Sequence, residues 1–332
     1  MAKNTSLTTR SLTLNNYSDL IGGWTLGLGD GLAENISLTT LSLTFNNCNI
    51  LIGDWTCGLG DGLAENTSLT TLSLTLNCSF LNGDWTRGLG DGLAENMSLT
   101  TLSPTINNCS DLCKDWAHGL GDGLAENTSL TALSLTLDNY SDLIGDWTRG
   151  LSDGLAESTS LTTLSLTFNN YGGPIGDWAH GLCDCLAKNT SLTTLSLTIN
   201  SCSDLCKDWA HGLGDGLAEN TSLTTLSLTL DNYSDLIGDW THGLSDGLAE
   251  NTSLTTLSLT FNNYGGPIGD WAHGLRDCLA KNTSLTTLSL TINNCSDLCK
   301  DWAHGLGDGL AENTSLTTLS LTFNNYSDLS GD

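Results

Sequence analysis

A leucine-containing segment that recurs at an almost constant interval is the feature that most constrains the fold of this 332-residue chain. The first copy begins at Leu7, the second at Leu38 and the eleventh at Leu316; the interval changes only between Leu69 and Leu99, where it is shorter by one. A period of about 31 is typical of solenoids and related arrays, in which each unit packs only against its neighbours. We therefore expect eleven stacked units of this period in place of two or three globular domains.

Each copy contains a short segment with the alternation of a β-strand. In the copy "SLTTLSLTFNN", Leu254 is position 1 and Asn262 is position 9. Leu257, Leu259 and Phe261 alternate with threonine and serine, which predicts a strand with one buried face. The asparagine at position 9 is expected to turn the chain and to bond backbone groups in neighbouring coils.

The second part of each copy has the spacing of a helix. In "GDWTHGLSDGLAEN", Trp240, Leu244 and Leu248 follow one another at every fourth position and share one helix face. Gly243 and Gly247 lie inside this segment and cost about 1 kcal/mol each relative to alanine. Such a helix is weak alone, so packing against neighbouring units must stabilise it.

The pattern LxxLxLxxN followed by a helix reading "GLAENTSL" resembles the leucine-rich repeats of the ribonuclease-inhibitor type. Those repeats also form the C-terminal sensor region of NOD-like receptors. The resemblance implies an α/β leucine-rich repeat solenoid, or horseshoe, with parallel strands on the concave face and helices on the convex face, as one domain over residues 1–332. The chain departs from the family in its slightly longer unit, its helix-start tryptophan and its many helix glycines, and it contains no Walker-type phosphate loop.

The charge of the chain restricts its partners. The sequence holds 37 acidic and 10 basic residues, a formal net charge of −27. Nucleic acids and anionic membranes require clustered Lys and Arg, so neither is expected as a partner, whereas a basic protein is compatible. The opening "MAKNTSLTTR" lacks the apolar core of a signal peptide, and no apolar stretch approaches the length of a membrane span. We therefore expect a cytoplasmic protein.

Two units depart from the pattern at core positions. Arg10 replaces a core leucine in the first unit, and Pro104 replaces the position-6 leucine in the fourth, which removes a backbone donor and a core side chain. Neither end of the chain has the polar capping unit that a solenoid needs. The expectation is a fragment of a larger protein without capping units.

Motifs that match catalytic patterns are explained by the repeat. "GLSDG" at 150–154 and 243–247 matches the elbow of serine hydrolases, but that elbow lies between a strand and a helix, and this motif lies within a predicted helix. We therefore expect neither catalysis nor a cofactor.

A segment beginning "CSDLCKDWAH" starts at Cys109, Cys202 and Cys295, each copy three units after the last. Each copy offers two thiols and a histidine, as in Cys109, Cys113 and His118. Structural zinc usually takes four ligands, and copies three units apart do not share ligands. The prediction is free thiols and no metal ion. Cys183 and Cys185, which replace helix glycines, are expected to be packing residues.

Asn-x-Ser recurs at the junction of helix and strand, as at Asn66 and Asn251. Such a site is a glycan acceptor in a secreted protein, and a turn explains it equally well. Both readings stay open at this stage.

Two surfaces are candidates for binding. Positions 3, 5 and 7 of the strand carry threonine and serine almost without exception and no charge or aromatic side chain, which argues against a tight protein site there. Tyrosine beside acid in the loop after position 9 is better suited to a protein contact. The candidate residues of that loop row are Tyr140, Tyr171, Tyr233, Tyr264, Asp142 and Asp235.

The predicted function is a non-catalytic protein–protein interaction module, and the resemblance implies the ligand-sensing region of a NOD-like innate immune receptor. Two alternatives stay open. One is a hydroxyl lattice that binds ice or a polysaccharide, since strand geometry places the hydroxyls about 6.7 Å apart along a strand and about 4.8 Å apart between strands. The other is a ribonuclease-inhibitor-like binder of a basic protein.

Overall fold

The structure is a computed structural model. The described residues are 6–15, 23–46, 55–77, 80–81, 83–108, 111–112, 114–138, 145–169, 176–200, 207–231, 239–262, 269–294 and 300–324. The chain divides into two compact units, Met1–Gly172 and Gly173–Asp332, and each is described by itself.

The first unit alternates six seven-residue strands with five helices. Its strands are Thr9–Asn15, Thr40–Asn46, Thr71–Asn77, Thr101–Asn107, Ala132–Asp138 and Thr163–Asn169. Its helices are Gly23–Ala33, Trp55–Glu65, Gly83–Glu95, Lys114–Glu126 and Gly145–Glu157. Each strand pairs in parallel with the next, so that equal repeat positions lie side by side. A second, short parallel pair joins Phe80–Leu81 to Asp111–Leu112.

The second unit alternates five helices with five strands in the same way. Its helices are Gly176–Lys188, Lys207–Glu219, Asp239–Glu250, Gly269–Lys281 and Lys300–Glu312. Its strands are Thr194–Asn200, Thr225–Asp231, Thr256–Asn262, Thr287–Asn293 and Thr318–Asn324, again parallel and aligned position by position. The eleven parallel strands alternate with helices, one strand in each repeat, and so confirm the predicted fold class.

The core lies between the strands and the helices, where leucines from both are removed from water. Strand positions 4, 6 and 8 are buried and positions 3, 5 and 7 are half-buried in the interior repeats, as the alternation predicts. In one repeat Leu257 is 0% exposed and Leu259 is 2% exposed. Helix residues such as Leu217 and Leu279 are equally buried. The ten tryptophan side chains, expected in this core, lie outside the described side chains.

The helix glycines allow successive helices to touch through their backbones. A Cβ atom added to Gly121 would overlap the carbonyl oxygen of Gly150 in the next helix, and one added to Gly154 would overlap the carbonyl of Gly121. The same arrangement brings Gly214 against Gly243 in the second unit. The glycines that weaken each isolated helix are therefore required by the packing of the stack.

Pro104 is itself buried at the strand position where the sequence predicts the loss of a core leucine. It interrupts the pairing on one side only. Towards the preceding strand, Pro104 lies opposite Leu74 and the alignment is complete. Towards the following strand, Ser103 and Pro104 have no aligned partner, although pairing resumes at Thr105. A proline carries no N–H to donate, which accounts for the gap. Arg10, in contrast, is exposed in the first described strand.

Within the described ranges, no helix combines the length and the apolar composition that a membrane crossing requires.

Candidate interaction surfaces

The helix side of each unit carries rows of exposed carboxylates. One aspartate per helix lies between the glycine positions and is exposed in nine of the ten helices. The row is Asp30, Asp61, Asp91, Asp122, Asp153, Asp184, Asp215, Asp246, Asp277 and Asp308. Only Asp277, which is half-buried, has an ion pair in the part of the chain that the structure describes, with its neighbour Arg276 at 3.0 Å. The other nine carboxylates face water and have no cation beside them among the described residues.

A second acidic row follows at the helix C-termini. Its members are exposed glutamates in eight helices, and exposed Lys188 and Lys281 replace them in the other two. The glutamates are Glu34, Glu65, Glu95, Glu126, Glu157, Glu219, Glu250 and Glu312. Negative charge at a helix C-terminus opposes the helix dipole, so these residues do not stabilise the helices that carry them. The two rows make the helix side of each unit strongly negative.

The sheet side offers a different surface of regularly spaced hydroxyl groups. At positions 3, 5 and 7, as at Thr256, Ser258 and Thr260, the side chains are half-buried, and aligned pairing places each beside its equivalent in the next strand. Within the described residues, the hydroxyl groups at these positions make no side-chain hydrogen bond to the protein. This surface carries no charge.

Other hydroxyl groups of the repeat connect adjacent coils. At position 2, Thr255 donates to the carbonyl oxygen of Thr224, one repeat earlier, at 3.1 Å. Immediately before position 1, Ser253 donates to the carbonyl oxygens of Leu223 at 2.9 Å and Asn220 at 3.3 Å. The same bonds recur along the chain, as at Thr70. Part of the serine and threonine content is therefore structural, which the sequence reasoning did not foresee.

In seven of the described Asn-x-Ser segments the asparagine joins three parts of the stack. Its carboxamide oxygen accepts from the backbone N–H groups of its own turn: for Asn251 these are Ser253 at 3.0 Å and Leu254 at 2.7 Å. Its carboxamide nitrogen donates to the preceding coil, to the carbonyl oxygens of Leu217 at 2.6 Å and Asn220 at 3.1 Å. Because Leu217 lies near a helix C-terminus, the bond satisfies a carbonyl that the helix leaves without a donor. We call this set of four bonds the asparagine clasp.

Burial decides between the two readings of the Asn-x-Ser sites. The seven asparagines that are buried are 1–4% exposed, and their side-chain nitrogen, to which a glycan would be attached, is enclosed. They are Asn66, Asn96, Asn127, Asn189, Asn220, Asn251 and Asn282. The turn interpretation holds for these positions, and the folded chain does not present them as glycan acceptors.

A second ladder of amides runs along the ends of the strands. At position 9, Asn46 donates to the side-chain oxygen of Asn15 at 2.8 Å, and Asn77 donates to Asn46 at 2.6 Å. In the second unit Asn293 donates to Asn262 at 2.7 Å. The predicted bonding between neighbouring coils is present, although it joins side chains and not a side chain to the backbone.

The three cysteines whose side chains the structure describes are packing residues. Cys185 and Cys278 are 1% exposed, each at a helix glycine position, and burial raises the pKa of each thiol to about 12. For Cys183, burial and then the charge of Asp215 raise the thiol pKa. All three thiols are free. The packing role predicted for Cys183 and Cys185 agrees with this burial, and Cys278 plays the same part in another repeat.

The predicted Cys/His sets are only partly described. His118, His211 and His304 are exposed, whereas the cysteines that precede them, such as Cys109 and Cys113, lie outside the described residues. In the described ranges, no group of three His, Cys, Asp or Glu residues is positioned to hold a metal ion. The absence of metal from those sets stays a prediction.

The "GLSDG" serines do not resemble nucleophiles. Ser152 and Ser245 lie inside helices and are 6% and 7% exposed, so a substrate does not reach either hydroxyl.

The tyrosine–aspartate loop row lies outside the described residues, so its role as a contact surface stays a prediction. This applies to all the candidate residues of that row: Tyr140, Tyr171, Tyr233, Tyr264, Asp142 and Asp235.

No protein-family model and no curated protein matches the chain. Two solved structures of leucine-rich repeat proteins are similar to it. One is the leucine-rich repeat-containing protein LegL7 from Legionella pneumophila, with 20% identity, a TM-score of 0.45, and coverage of 95% of this chain and 91% of that chain. The other is the leucine-rich repeat domain of APL1B, with 13% identity, a TM-score of 0.39, and coverage of 97% of this chain and 69% of that chain.

The fold assignment comes from the repeat geometry described above. Parallel seven-residue strands, buried leucines at positions 4 and 6, and a helix in each interval define a leucine-rich repeat solenoid.

Proposed function

We propose that this protein is a non-catalytic interaction module that binds a basic protein through the acidic rows of its helices. The observation that carries the proposal is the contrast between the two sides of each unit. The helix side presents exposed carboxylates, nearly all without an ion pair in the described part of the chain, and the sheet side presents uncharged hydroxyl groups. Charge of one sign speeds encounter with a partner of the opposite sign and disfavours wrong partners.

The tyrosine–aspartate loop row is proposed as the second part of the contact. Tyrosine supplies apolar area together with a hydroxyl donor, and it is enriched among the residues that dominate binding energy. The net charge of −27 supports a protein partner over a nucleic acid or an anionic membrane. A cytoplasmic location belongs to the same proposal.

Photo-crosslinking tests which side meets the partner. A photoreactive amino acid replaces Glu126 on the helix side in one protein and Thr136 on the sheet side in a second. Each protein is irradiated in an extract of the cells that naturally express the chain. We expect a specific cross-link from position 126 to a protein of basic isoelectric point, and none from position 136. A cross-link from position 136 alone would contradict the proposal.

A finer proposal is that the module is the ligand-sensing region of a NOD-like innate immune receptor. The resemblance of its LxxLxLxxN segments and "GLAENTSL" helices to the ribonuclease-inhibitor type of repeat supports this. Sequencing of the full transcript tests it. A nucleotide-binding domain encoded in the same reading frame supports a receptor, and a complete reading frame without one contradicts it.

The hydroxyl groups of the sheet support a second candidate function, the binding of ice or of a crystalline polysaccharide. The favouring observation is that hydroxyl groups at positions 3, 5 and 7 have no protein partner in the described residues and lie in aligned rows. Measurement of thermal hysteresis and of sedimentation with insoluble cellulose and chitin tests this candidate. The absence of both effects at high protein concentration would exclude it.

A further inference from the structure

The three-unit duplication provides an internal comparison for the stability of individual coils. A coil here is one helix together with the strand that follows it. The helix and strand of coil 114–138 differ from those of coil 207–231 at a single position, where Ala132 stands in place of Thr225. The following coils, 145–169 and 238–262, differ at two, which are Arg149 for His242 and Ser158 for Asn251. The preceding coils, 83–107 and 176–200, differ at seven positions, and Pro104 for Leu197 is the one of these that lies in the strand. The two copies are therefore closely matched in themselves and on their following side, and less closely on their preceding side.

Coil 114–138 is weakened on the side of its preceding neighbour. Its strand, Ala132–Asp138, pairs with Thr101–Asn107 through five aligned positions, because the pairing lapses at Ser103 and Pro104. The copy of this strand, Thr225–Asp231, pairs with its preceding strand through all seven positions. Leucine occupies the place of Pro104 in the second copy, at Leu197, and supplies the missing backbone donor.

The same coil is weakened on the side of its following neighbour. Ser158 stands where the other described turns have the clasp asparagine, and it is 3% exposed. A serine has no carboxamide, so it lacks the two N–H donors that Asn251 directs to Leu217 and Asn220 in the copy. The Leu124 carbonyl, equivalent to that of Leu217, has no side-chain donor among the described residues.

A neighbouring serine of this turn also has fewer acceptors than its copy. Ser160 donates to the carbonyl oxygen of Asn127 at 3.0 Å. The hydroxyl of its copy, Ser253, has two carbonyl oxygens of the preceding coil within hydrogen-bonding distance and shares its one proton between them. The backbone pairing of the strands themselves, Ala132–Asp138 with Thr163–Asn169, is complete over seven positions. The defect on this side is therefore confined to the turn between helix and strand.

We infer that coil 114–138 is a built-in joint of the solenoid, which opens locally while its copy, coil 207–231, stays closed. In a repeat protein each coil is held only by its two neighbours. Defects at both junctions of one coil therefore both lower the free energy needed to open that coil locally. Opening at this coil exposes the edge of strand Ala132–Asp138, and it divides the first unit without disturbing the packing of coils further away. Coil 207–231 serves as the reference for the closed state.

Hydrogen–deuterium exchange of the full chain tests this inference. The peptides 129–138 and 222–231 are distinguished by Ala132 and Thr225, so mass spectrometry reports each coil separately. We expect the amides of peptide 129–138 to exchange about tenfold faster or more, as the loss of a few buried hydrogen bonds predicts. Equal exchange in the two peptides would overturn the inference.

Two sets of variants locate the cause. The repair variant Pro104→Leu/Ser158→Asn is expected to bring the exchange of peptide 129–138 to within about threefold of peptide 222–231. The transfer variant Asn251→Ser introduces the turn defect into the second copy and is expected to speed exchange in peptide 222–231. If the exchange rates of the two peptides still differ in the repair variant, the opening is caused by Ala132 or by another residue, and the inference is overturned. Unchanged exchange of peptide 222–231 in Asn251→Ser overturns it as well.

Discussion

The side-chain nitrogen of Asn251 lies 2.6 Å from the carbonyl oxygen of Leu217, in the helix of the preceding coil. A residue that belongs to the turn of one repeat therefore completes the helix of another. Equivalent bonds join Asn66 to Leu32 and Asn282 to Leu248. Because each such bond needs two stacked repeats, it stabilises the stack and not the single repeat.

Replacement of Asn251 by alanine is predicted to destabilise the protein by about 1–3 kcal/mol, since buried backbone donors and acceptors lose their partners. The matched control is Thr252→Ala, which changes an exposed side chain in the same turn. Urea unfolding followed by circular dichroism measures both. An Asn251→Ala protein as stable as the control would show that the clasp does not hold the coils together.

Glycine-to-alanine changes are predicted to have opposite effects at two equivalent places. The helices Lys207–Glu219 and Lys300–Glu312 have the same sequence. A Cβ atom at Gly214 would overlap the Gly243 carbonyl, whereas one at Gly307 would meet nothing within 4 Å. Gly214→Ala should therefore lower the melting temperature, and Gly307→Ala should leave it unchanged or raise it, because alanine favours a helix by about 1 kcal/mol. Equal effects of the two changes on thermal unfolding would contradict the close approach of the helix backbones.

Burial of thiols predicts a loss of stability in alkali. The pKa of Cys278 is about 12 in the folded chain against an ordinary value of 9.0, so the folded state resists ionisation. The unfolded thiol ionises above pH 9 and the folded thiol does not, so its contribution to stability is complete below pH 9 and declines between about pH 9 and 12. The decline reaches up to about 1.4 kcal/mol per pH unit for one thiol.

Urea unfolding of the wild-type protein and of Cys278→Ala from pH 8 to 10.5 measures this effect. The difference between the two proteins isolates the contribution of the Cys278 thiol to stability from that of other titrating groups. The variant is expected to lose less stability over that range. Parallel slopes for the two proteins would show that Cys278 is not buried as described.

The buried Asn-x-Ser sites are predicted to carry no glycan in a folded chain. If the chain is expressed with an added secretion signal, the soluble fraction should be unmodified at Asn96 and Asn251, because a glycan there prevents the clasp. Glycopeptide mass spectrometry reads the occupancy of each site. A glycan at Asn251 in protein that retains its circular dichroism spectrum would contradict the burial of that side chain.

The sequence predicts most of the fold because the spacing of its leucines leaves few alternatives. One repeat cannot bury its own apolar face, so positions such as Leu257 and Leu259 require stacked neighbours, and the strand and helix follow from their spacing. The roles of Asn251 and Gly214 could not be predicted in the same way. Their partners belong to the adjacent repeat, and they meet only after the coils stack.

The candidate site is predicted less completely. Composition indicates an acidic chain, whereas the arrangement of the aspartates in an exposed row on the helix side is seen only in the structure. The tyrosine–aspartate row, including Tyr140 and Asp142, lies outside the described residues, in sequence segments that the leucine spacing does not constrain. Neither periodicity nor composition identifies a partner, because a solenoid carries recognition on exposed residues that its fold does not constrain.

Binding of the cross-linked partner by two sets of variants tests the central claim most directly. The triple variant Asp91→Asn/Asp122→Asn/Asp153→Asn neutralises part of the helix side, and Thr105→Val/Thr136→Val/Thr167→Val removes hydroxyl groups from the sheet side of the same unit. We predict that the aspartate variant weakens binding by about tenfold or more and reduces its dependence on salt, while the threonine variant binds within about twofold of wild type. Loss of binding in the threonine variant, with full affinity in the aspartate variant, would contradict the proposed function.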